Sequence, residues 1–400
     1  MTDKSLIRRV DWPSSVSRPV ATPLQPSVVY ASPDPDALDA QYDQNSGYTY
    51  AREGHPNADI LARKIDMLEG TQDGFVLGSG MGAIGATLLG CLKAGDHVVG
   101  GDQLYGRSLR LLTQDLPRLG IETSLADPTD AAAIKAAIQP NTKLILVEVI
   151  SNPTIRVADM AGIAAVAKET DVLLAVDNTF TTPRLFQPFD HGADIVIHSV
   201  TKLLAGHSDA TLGYVAAKDP TLNDAIRAAN VTWGFTPSPF DCWLAERGLQ
   251  SFDLRLDKAE ANAADLAESL SKCENVSRVL YPTRTDHPDH NRAIALLGGR
   301  GGNMVSFELK GGRAAANALT RAVPQIPFAP TLGDVATTLS HPASSSHRGL
   351  TAEARMALGI SEGFFRVSVG VEETGLVARE LASAINALQR NIKVIDEARF

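Results

Sequence analysis

A series of short apolar runs between residues 75 and 217 sets the strongest limit on how this chain can fold. The runs are Phe75-Val-Leu77, His97-Val-Val99, Lys143-Leu-Ile-Leu-Val147, Val172-Leu-Leu-Ala-Val-Asp177, Asp194-Ile-Val-Ile-His198 and 213–217. They lack the polar alternation of a strand with one wet face, so each needs cover on both faces. Segments of helical periodicity lie between them and can supply that cover. Helices are predicted over 57–67, 83–92, 105–119 and 161–168. The first sets Leu61, Ile65 and Leu68 on one face and stops at Gly70. This pattern predicts an α/β fold with a mostly parallel central sheet.

The pattern changes on both sides of this region. Residues 1–58 carry Pro13, Pro19, Pro23, Pro26, Pro33 and Pro35 with little periodicity, and read as an arm lying on another surface. After Arg255 a helix is predicted over 256–271, strands near 276–281, 304–309 and 365–369, and a final helix over 377–390. The expected domains are therefore the arm at 1–58, a central domain at 59–256 and a smaller C-terminal α+β domain at 257–400.

The formal net charge of −9 argues against a nucleic-acid surface but leaves room for a local basic pocket. Cys91, Cys242 and Cys273 show no CxxC spacing and read as small core residues. No apolar run approaches the roughly 18 residues of a membrane span, and the first residues lack the apolar stretch of a secretory leader. The chain reads as cytoplasmic, without a membrane partner.

Lys202 has surroundings that no other lysine shares. The strand ending at His198 delivers Ser199, Thr201 and Lys202 together at its carboxyl end, where α/β folds bind ligands. The preceding strand ends in a lone carboxylate, Asp177. A lysine for an aldehyde, hydroxyls for a phosphate and an acid for a ring nitrogen are what pyridoxal 5'-phosphate requires.

Other motifs compete for the same residues. Gly80-Met-Gly-Ala-Ile-Gly85 matches the dinucleotide fingerprint of a nicotinamide oxidoreductase. No acid clearly ends the second strand about 20 residues on, as that fingerprint requires. The turn still suits a phosphate, because amides at a helix start point outward. Ser199-Val-Thr-Lys202 also fits the S-x-x-K of certain hydrolases, but the Lys-Thr-Gly those enzymes need is absent. His287-Pro-Asp-His290 has the look of a metal pair, yet its proline breaks the helix such spacing needs. It reads as a solvated turn, and no metal is expected.

Several motifs together resemble the pyridoxal-phosphate enzymes of cysteine and methionine metabolism: cystathionine γ-synthase, cystathionine lyases, methionine γ-lyase and homoserine-ester sulfhydrylases. They are Tyr50-Ala-Arg52, Asp177-Asn-Thr-Phe180, Ser199-Val-Thr-Lys202, Gly206-His-Ser-Asp209, Arg247-Gly-Leu249 and Arg366-Val-Ser-Val-Gly370. The resemblance implies the fold type I architecture of aspartate-aminotransferase-like enzymes. It implies Lys202 as the cofactor lysine, Asp177 as partner of the ring nitrogen, and Tyr105 as the ring-stacking tyrosine active in proton transfer. Gly80, Met81, Ser199 and Thr201 would cradle the phosphate, which Tyr50 and Arg52 would reach from a neighbouring subunit of a homotetramer with shared sites. Asn152 would meet the cofactor's phenolic oxygen or the substrate, Thr331 would lie against the substrate, and Arg366 would clamp its α-carboxylate. The implied chemistry is γ-elimination or γ-replacement on a sulfur-containing or homoserine-derived amino acid, with sulfhydrylase or cystathionine β-lyase activity as the alternative. Pro330 stands where relatives carry glutamate, tyrosine or valine, and Arg107 stands where methionine γ-lyases carry cysteine.

Overall fold

The computed structural model describes residues 15–44 and 46–397. Residues 1–14 of the expected arm and 398–400 of the expected C-terminal domain lie outside the described residues. The larger sheet contains β1 (Phe75–Leu77), β2 (His97–Gly101), β3 (Glu122–Ala126), β4 (Thr142–Glu148), β5 (Leu173–Asp177), β6 (Ile195–His198) and β7 (Gly213–Ala217). Its order is β1-β7-β6-β5-β4-β2-β3. Strands β3, β2, β4, β5 and β6 run parallel, and β7 and β1 add antiparallel pairings at one edge. The order reverses between β2 and β4, and the crevice beyond the carboxyl ends at such a reversal is where open α/β sheets bind ligands.

The apolar runs behave as two-faced strands must. Leu144, Leu146, Ala175, Ile195 and Ile197 pack on one face with Ala83, Ile84 and Leu88 of the Gly80–Cys91 helix. Ile145, Val147, Leu174, Val176 and Val196 pack on the other with Leu61, Ile65, Ile163 and Val166. Each fully buried aliphatic side chain contributes about 1.5–3 kcal/mol. The Pro56–Glu69 helix starts where the His55 ring accepts the Ala58 N–H and ends at Gly70.

The smaller sheet is antiparallel, β10-β11-β9-β8, from β8 (Val276–Leu280), β9 (Met304–Leu309), β10 (Thr338–Ser340) and β11 (Phe364–Ser368). Phe307 and Phe365 stack at its centre, ring centroids 5.5 Å apart. The Phe252–Ser271 helix runs unbroken past residue 256. Phe252 and Leu256 belong to a core of the first sheet, whereas Ala263, Leu266 and Leu270 belong to the core of the second.

Some elements differ from the sequence expectation. The helix predicted over 105–119 divides into an α-turn at Gly106–Arg110, a π-helical turn at Leu111–Asp115 and a 3₁₀ turn at Leu116–Leu119. Pro117 has no N–H to continue the α ladder. Strand β3 is an edge strand with polar, partly exposed residues, so no apolar run announces it. The Pro35–Asp43 helix in the arm, capped by Asp34, buries none of its residues. Farther upstream the arm is tied to its own chain, where Trp243 Nε1 donates to Thr22 O and Asn57 Nδ2 to Pro23 O.

The His287–His290 segment is not the solvated turn expected. His287 is 3% exposed and bonds Ile155 O at 2.9 Å, while its other ring nitrogen accepts the Asp289 N–H. Asp289 accepts Arg156 Nε at 2.6 Å, Arg156 Nη2 at 3.0 Å and the Val157 N–H at 3.0 Å. This bidentate pair fastens the segment after β8 to the loop after β4. Burial pushes the Asp289 carboxyl up, but Arg156 and the Val157 amide outweigh it and hold the pKa below the usual carboxylate value. A depressed carboxylate contributes stability above its unfolded pKa and loses it as the pH falls through the folded pKa. Asp289→Ala should therefore cost about 2 kcal/mol at neutral pH. Urea titrations across pH should show that deficit shrinking in acid.

Candidate active site

The parallel register places acids side by side at the carboxyl ends of the central strands. Glu148 ends β4, Asp177 ends β5, and these two residues are register partners. Asp177 is paired in turn with Ile197, one residue before His198 ends β6. Both carboxylates are 9% exposed. Burial raises the Asp177 pKa, opposed by hydrogen bonds from Thr179 and by His198. Burial and the neighbouring Asp177 raise that of Glu148 well above its ordinary value, opposed by the amides of Tyr105 and Asn152. Glu148 ends an apolar run as Asp177 does, but nothing in the run itself sets it apart. Its importance comes from the strand register and from the Tyr105 N–H that it accepts at 2.8 Å. That bond spans the reversal between β2 and β4 and fixes the loop carrying Tyr105. Next to Asp177, Asn178 Nδ2 donates to Glu69 Oε1 at 3.0 Å, and Glu69 also pairs with buried His198.

Beyond β6 the chain turns through Ser199–Gly206. Lys202 N–H donates to Ser199 O at 3.1 Å, and Gly206 N–H returns to Lys202 O at 2.8 Å. Burial lowers the Lys202 pKa, and the Arg366 charge lowers it further, so the side chain is biased toward the free amine. Arg366 rises from β11 of the smaller sheet and is 5% exposed. Its Nη1 donates to Asn152 Oδ1 at 2.6 Å and its Nη2 to Thr331 O at 2.6 Å. Burial pushes its pKa down to about 10 against the opposing influence of Tyr105. Its buried Nε has no partner among the described residues, so the guanidinium keeps at least this donor for an incoming anion. Asn152 is joined to Pro153 by a cis peptide bond.

The Gly80–Cys91 helix begins after β1, with Ser79 Oγ accepting the Gly82 N–H at 2.9 Å. This leaves the amides of Gly80 and Met81 in the unpaired first turn, where an anion is favoured. A Cβ on Gly80 would lie 2.6 Å from Ser199 Cβ, so only glycine permits this approach of helix start to lysine loop. Thr201 is placed differently from a simple cradle residue. Its hydroxyl donates to Leu212 O and accepts the Leu212 N–H, and is already committed to the segment entering β7. Tyr50 and Arg52 are exposed; the Arg52 guanidinium lies 5.2 Å from the Tyr50 ring centroid and pairs with Glu53. Tyr105 is 39% exposed at the mouth of the site. No cluster of three or more metal-ligating side chains occurs among the described residues.

An anion-ready helix start, a lysine biased toward its amine, a buried acid and a half-satisfied arginine fit pyridoxal phosphate together with an amino-acid carboxylate. The fold and this constellation define a fold type I pyridoxal-phosphate enzyme. A profile of the family described as Cys/Met metabolism PLP-dependent enzyme matches residues 5–386, and the chain belongs to that family. The chain is 39% identical to cystathionine beta-lyase of Bacillus subtilis, over 87% of its own length and 89% of the relative's. It is 37% identical to L-methionine gamma-lyase of Porphyromonas gingivalis, over 86% and 87%. The crystal structure of cystathionine gamma synthase from Xanthomonas oryzae pv. oryzae, in complex with aminoacrylate and cysteine, superposes with a TM-score of 0.86. That likeness covers 92% of each chain at 36% identity.

The Glu148 geometry yields a pH test. A carboxyl whose folded pKa is raised contributes stability below its unfolded pKa and loses it as the pH rises through the folded one. In the cofactor-free protein, Glu148→Gln should therefore gain on the wild type with rising pH, measured by thermal unfolding. Glu148→Ala, which strands two buried amides, should lose about 1–3 kcal/mol throughout.

Proposed function

We propose that this enzyme eliminates or replaces the γ-substituent of a sulfur-containing or homoserine-derived amino acid. The observation that carries this reading is the Arg366 fork, held by Asn152 and Thr331 with one buried donor open, beside a lysine biased toward its amine form. When bound, pyridoxal phosphate supplies an aldehyde for an amine and a ring that draws electrons from the substrate's α-carbon.

The chain's own residues divide the remaining work. The Gly80 and Met81 amides and the Ser199 hydroxyl hold the phosphate, with Thr201 bracing the loop beside them. Asp177 would hold the ring nitrogen, whose positive charge would favour the ionised form of the buried carboxyl. Tyr105 covers the ring. Arg366 takes the substrate α-carboxylate through its planar fork. Lys202 Nζ, as the free amine, would take the Cα proton, deliver it to C4′ of the bound cofactor, and only then be able to take a proton from Cβ, which must leave before a γ-substituent can depart. Pro330 puts no charge at the loop beside Thr331, which suits a thioether or an ester better than a distal ammonium group. The similarity to a cystathionine beta-lyase favours a second reading, elimination at Cβ, in which the proton from Cα alone is moved.

The active assembly is a homotetramer, a dimer of dimers with shared sites, with Tyr50 and Arg52 of one subunit reaching the phosphate of the next, and it works in the cytoplasm. The exposure of Tyr50, Arg52, Val28 and Val29, with Phe240 stacked on the Trp243 that bonds the arm at Thr22, supports an interface along the arm. Among the described residues no helix is long and apolar enough to cross a membrane.

Incubation with methionine, cystathionine, and an acyl-homoserine plus thiol separates the readings. Chemistry at Cγ should yield 2-oxobutanoate or a new thioether; pyruvate from cystathionine as the only 2-oxo acid, released with homocysteine and ammonia, would establish the β-elimination reading instead. Lys202→Ala should abolish turnover, and Asp177→Asn should lower kcat by about 10²–10³-fold. Mixing inactive Arg52→Ala and Lys202→Ala chains should restore part of the activity, because some hybrids then hold both defects in one site and leave another intact. Proven subunit exchange without recovery would reject shared sites.

A further inference from the structure

The turn that carries Lys202 leaves β6 without becoming a regular helix, so its buried backbone groups need partners from elsewhere. Gly206 N–H satisfies Lys202 O. The next carbonyls, of Leu203 and Leu204, belong to residues that are 4% and 2% exposed. Both are met by one side chain from the Phe252–Ser271 helix. Arg255 Nη1 donates to Leu203 O at 2.8 Å, and Nη2 donates to Leu204 O at 3.0 Å and to Gly248 O at 3.0 Å. Its Nε donates to Ser251 Oγ at 3.1 Å, which aims the fork. The guanidinium is itself buried, with Arg255 8% exposed. Gly206 has a φ of +78°, and a Cβ there would lie 2.0 Å from Arg255 Nη1, so loop and guanidinium occupy adjoining space with no room for a side chain. Gly206 O in turn accepts the Val335 N–H at 2.9 Å, tying the loop to the segment that carries Thr331.

We propose that Arg255 is a positioning residue for Lys202. Three consecutive carbonyls, beginning with that of Lys202, are fixed by the Gly206 amide and the Arg255 fork. The peptide plane after the lysine is thereby set, and with it the direction in which the side chain leaves the backbone. A planar fork with fixed donor directions can meet divergent carbonyls in this way; a lysine ammonium on a flexible stem does so less rigidly. The bonds of the Arg255 guanidinium go to the Leu203, Leu204 and Gly248 carbonyls and to Ser251, so its effect on Lys202 passes through the loop. The inference rests on the reading of Lys202 as the cofactor lysine.

The test uses the full-length protein, at a temperature where circular dichroism shows each variant folded. Cofactor-free protein is mixed with pyridoxal phosphate, quenched with borohydride at intervals, and the labelled lysine is located by peptide mass spectrometry. Arg255→Lys should slow labelling of Lys202 and lower kcat, each on the order of 10²-fold, the scale of a misplaced reacting group. KM should stay within about threefold, because Arg366 is untouched. Gly206→Ala, which drives a methyl into the guanidinium, should reproduce the same split and decides the matter if Arg255→Lys does not fold. A folded variant that labels Lys202 and turns over within about threefold of wild type would overturn the positioning role. Labelling of a different lysine in the wild-type protein would instead overturn the assignment of Lys202 itself.

Discussion

Parallel pairing of β4, β5 and β6 is the constraint on which the site depends. In a parallel ladder all carboxyl ends emerge on one side, so whatever each strand carries at its end is delivered to a common edge. Here those ends carry Glu148, Asp177 and the turn from Ser199 to Lys202. Two buried carboxylates set side by side repel each other and lose hydration. Hydrogen bonds make the arrangement tolerable: Thr179 serves Asp177, and the amides of Tyr105 and Asn152 serve Glu148. The Glu148 bonds also fix the loop after β2 and the loop after β4, which hold the residues proposed to cover the ring and face the substrate.

The smaller sheet completes the site by adding a cation to this acidic edge. Arg366 stands on β11 between β9 and β10, and its fork closes on Asn152 from the larger domain and on the Thr331 carbonyl from its own. The Arg156–Asp289 pair and the Ser306 hydroxyl bonded to Pro153 O join the same two regions. These contacts meet around the cis Asn152–Pro153 segment. The placement of the proposed carboxylate clamp therefore follows from how the two sheets dock as much as from either sheet alone.

Lys202 and Asp177 stand out in the sequence as candidates because Asp177 ends an uninterrupted apolar run and Lys202 lies in the turn that follows another. Glu148 carried the same mark, yet its role is a matter of register, which periodicity does not report. Arg366 and Tyr105, taken singly, look like a surface pair and a core aromatic, and only the resemblance to a family distinguished them. Arg255 read merely as the point where composition changes. Its importance lies in three carbonyls that the chain brings to it from Leu203, Leu204 and Gly248. His287 reads as a wet turn because proline and aspartate follow it, whereas packing of the segment after β8 on the loop after β4 buries its ring against Ile155.

The sequence by itself determined the layered α/β architecture, since two-faced apolar strands separated by helices have few other ways to hide from water. It also marked which strand ends carry the candidate residues, because the lysine, its hydroxyl neighbours and Asp177 lie at or just beyond the carboxyl ends of their strands. Only the tertiary structure decided which acids became neighbours, where the Thr201 hydroxyl was committed, how Arg366 was held with one donor free, and which arginine braced the lysine loop. Those outcomes depend on strand order, domain docking and the satisfaction of buried polar groups by residues distant in the chain. Such pairings are properties of the folded arrangement and have no local periodicity to announce them.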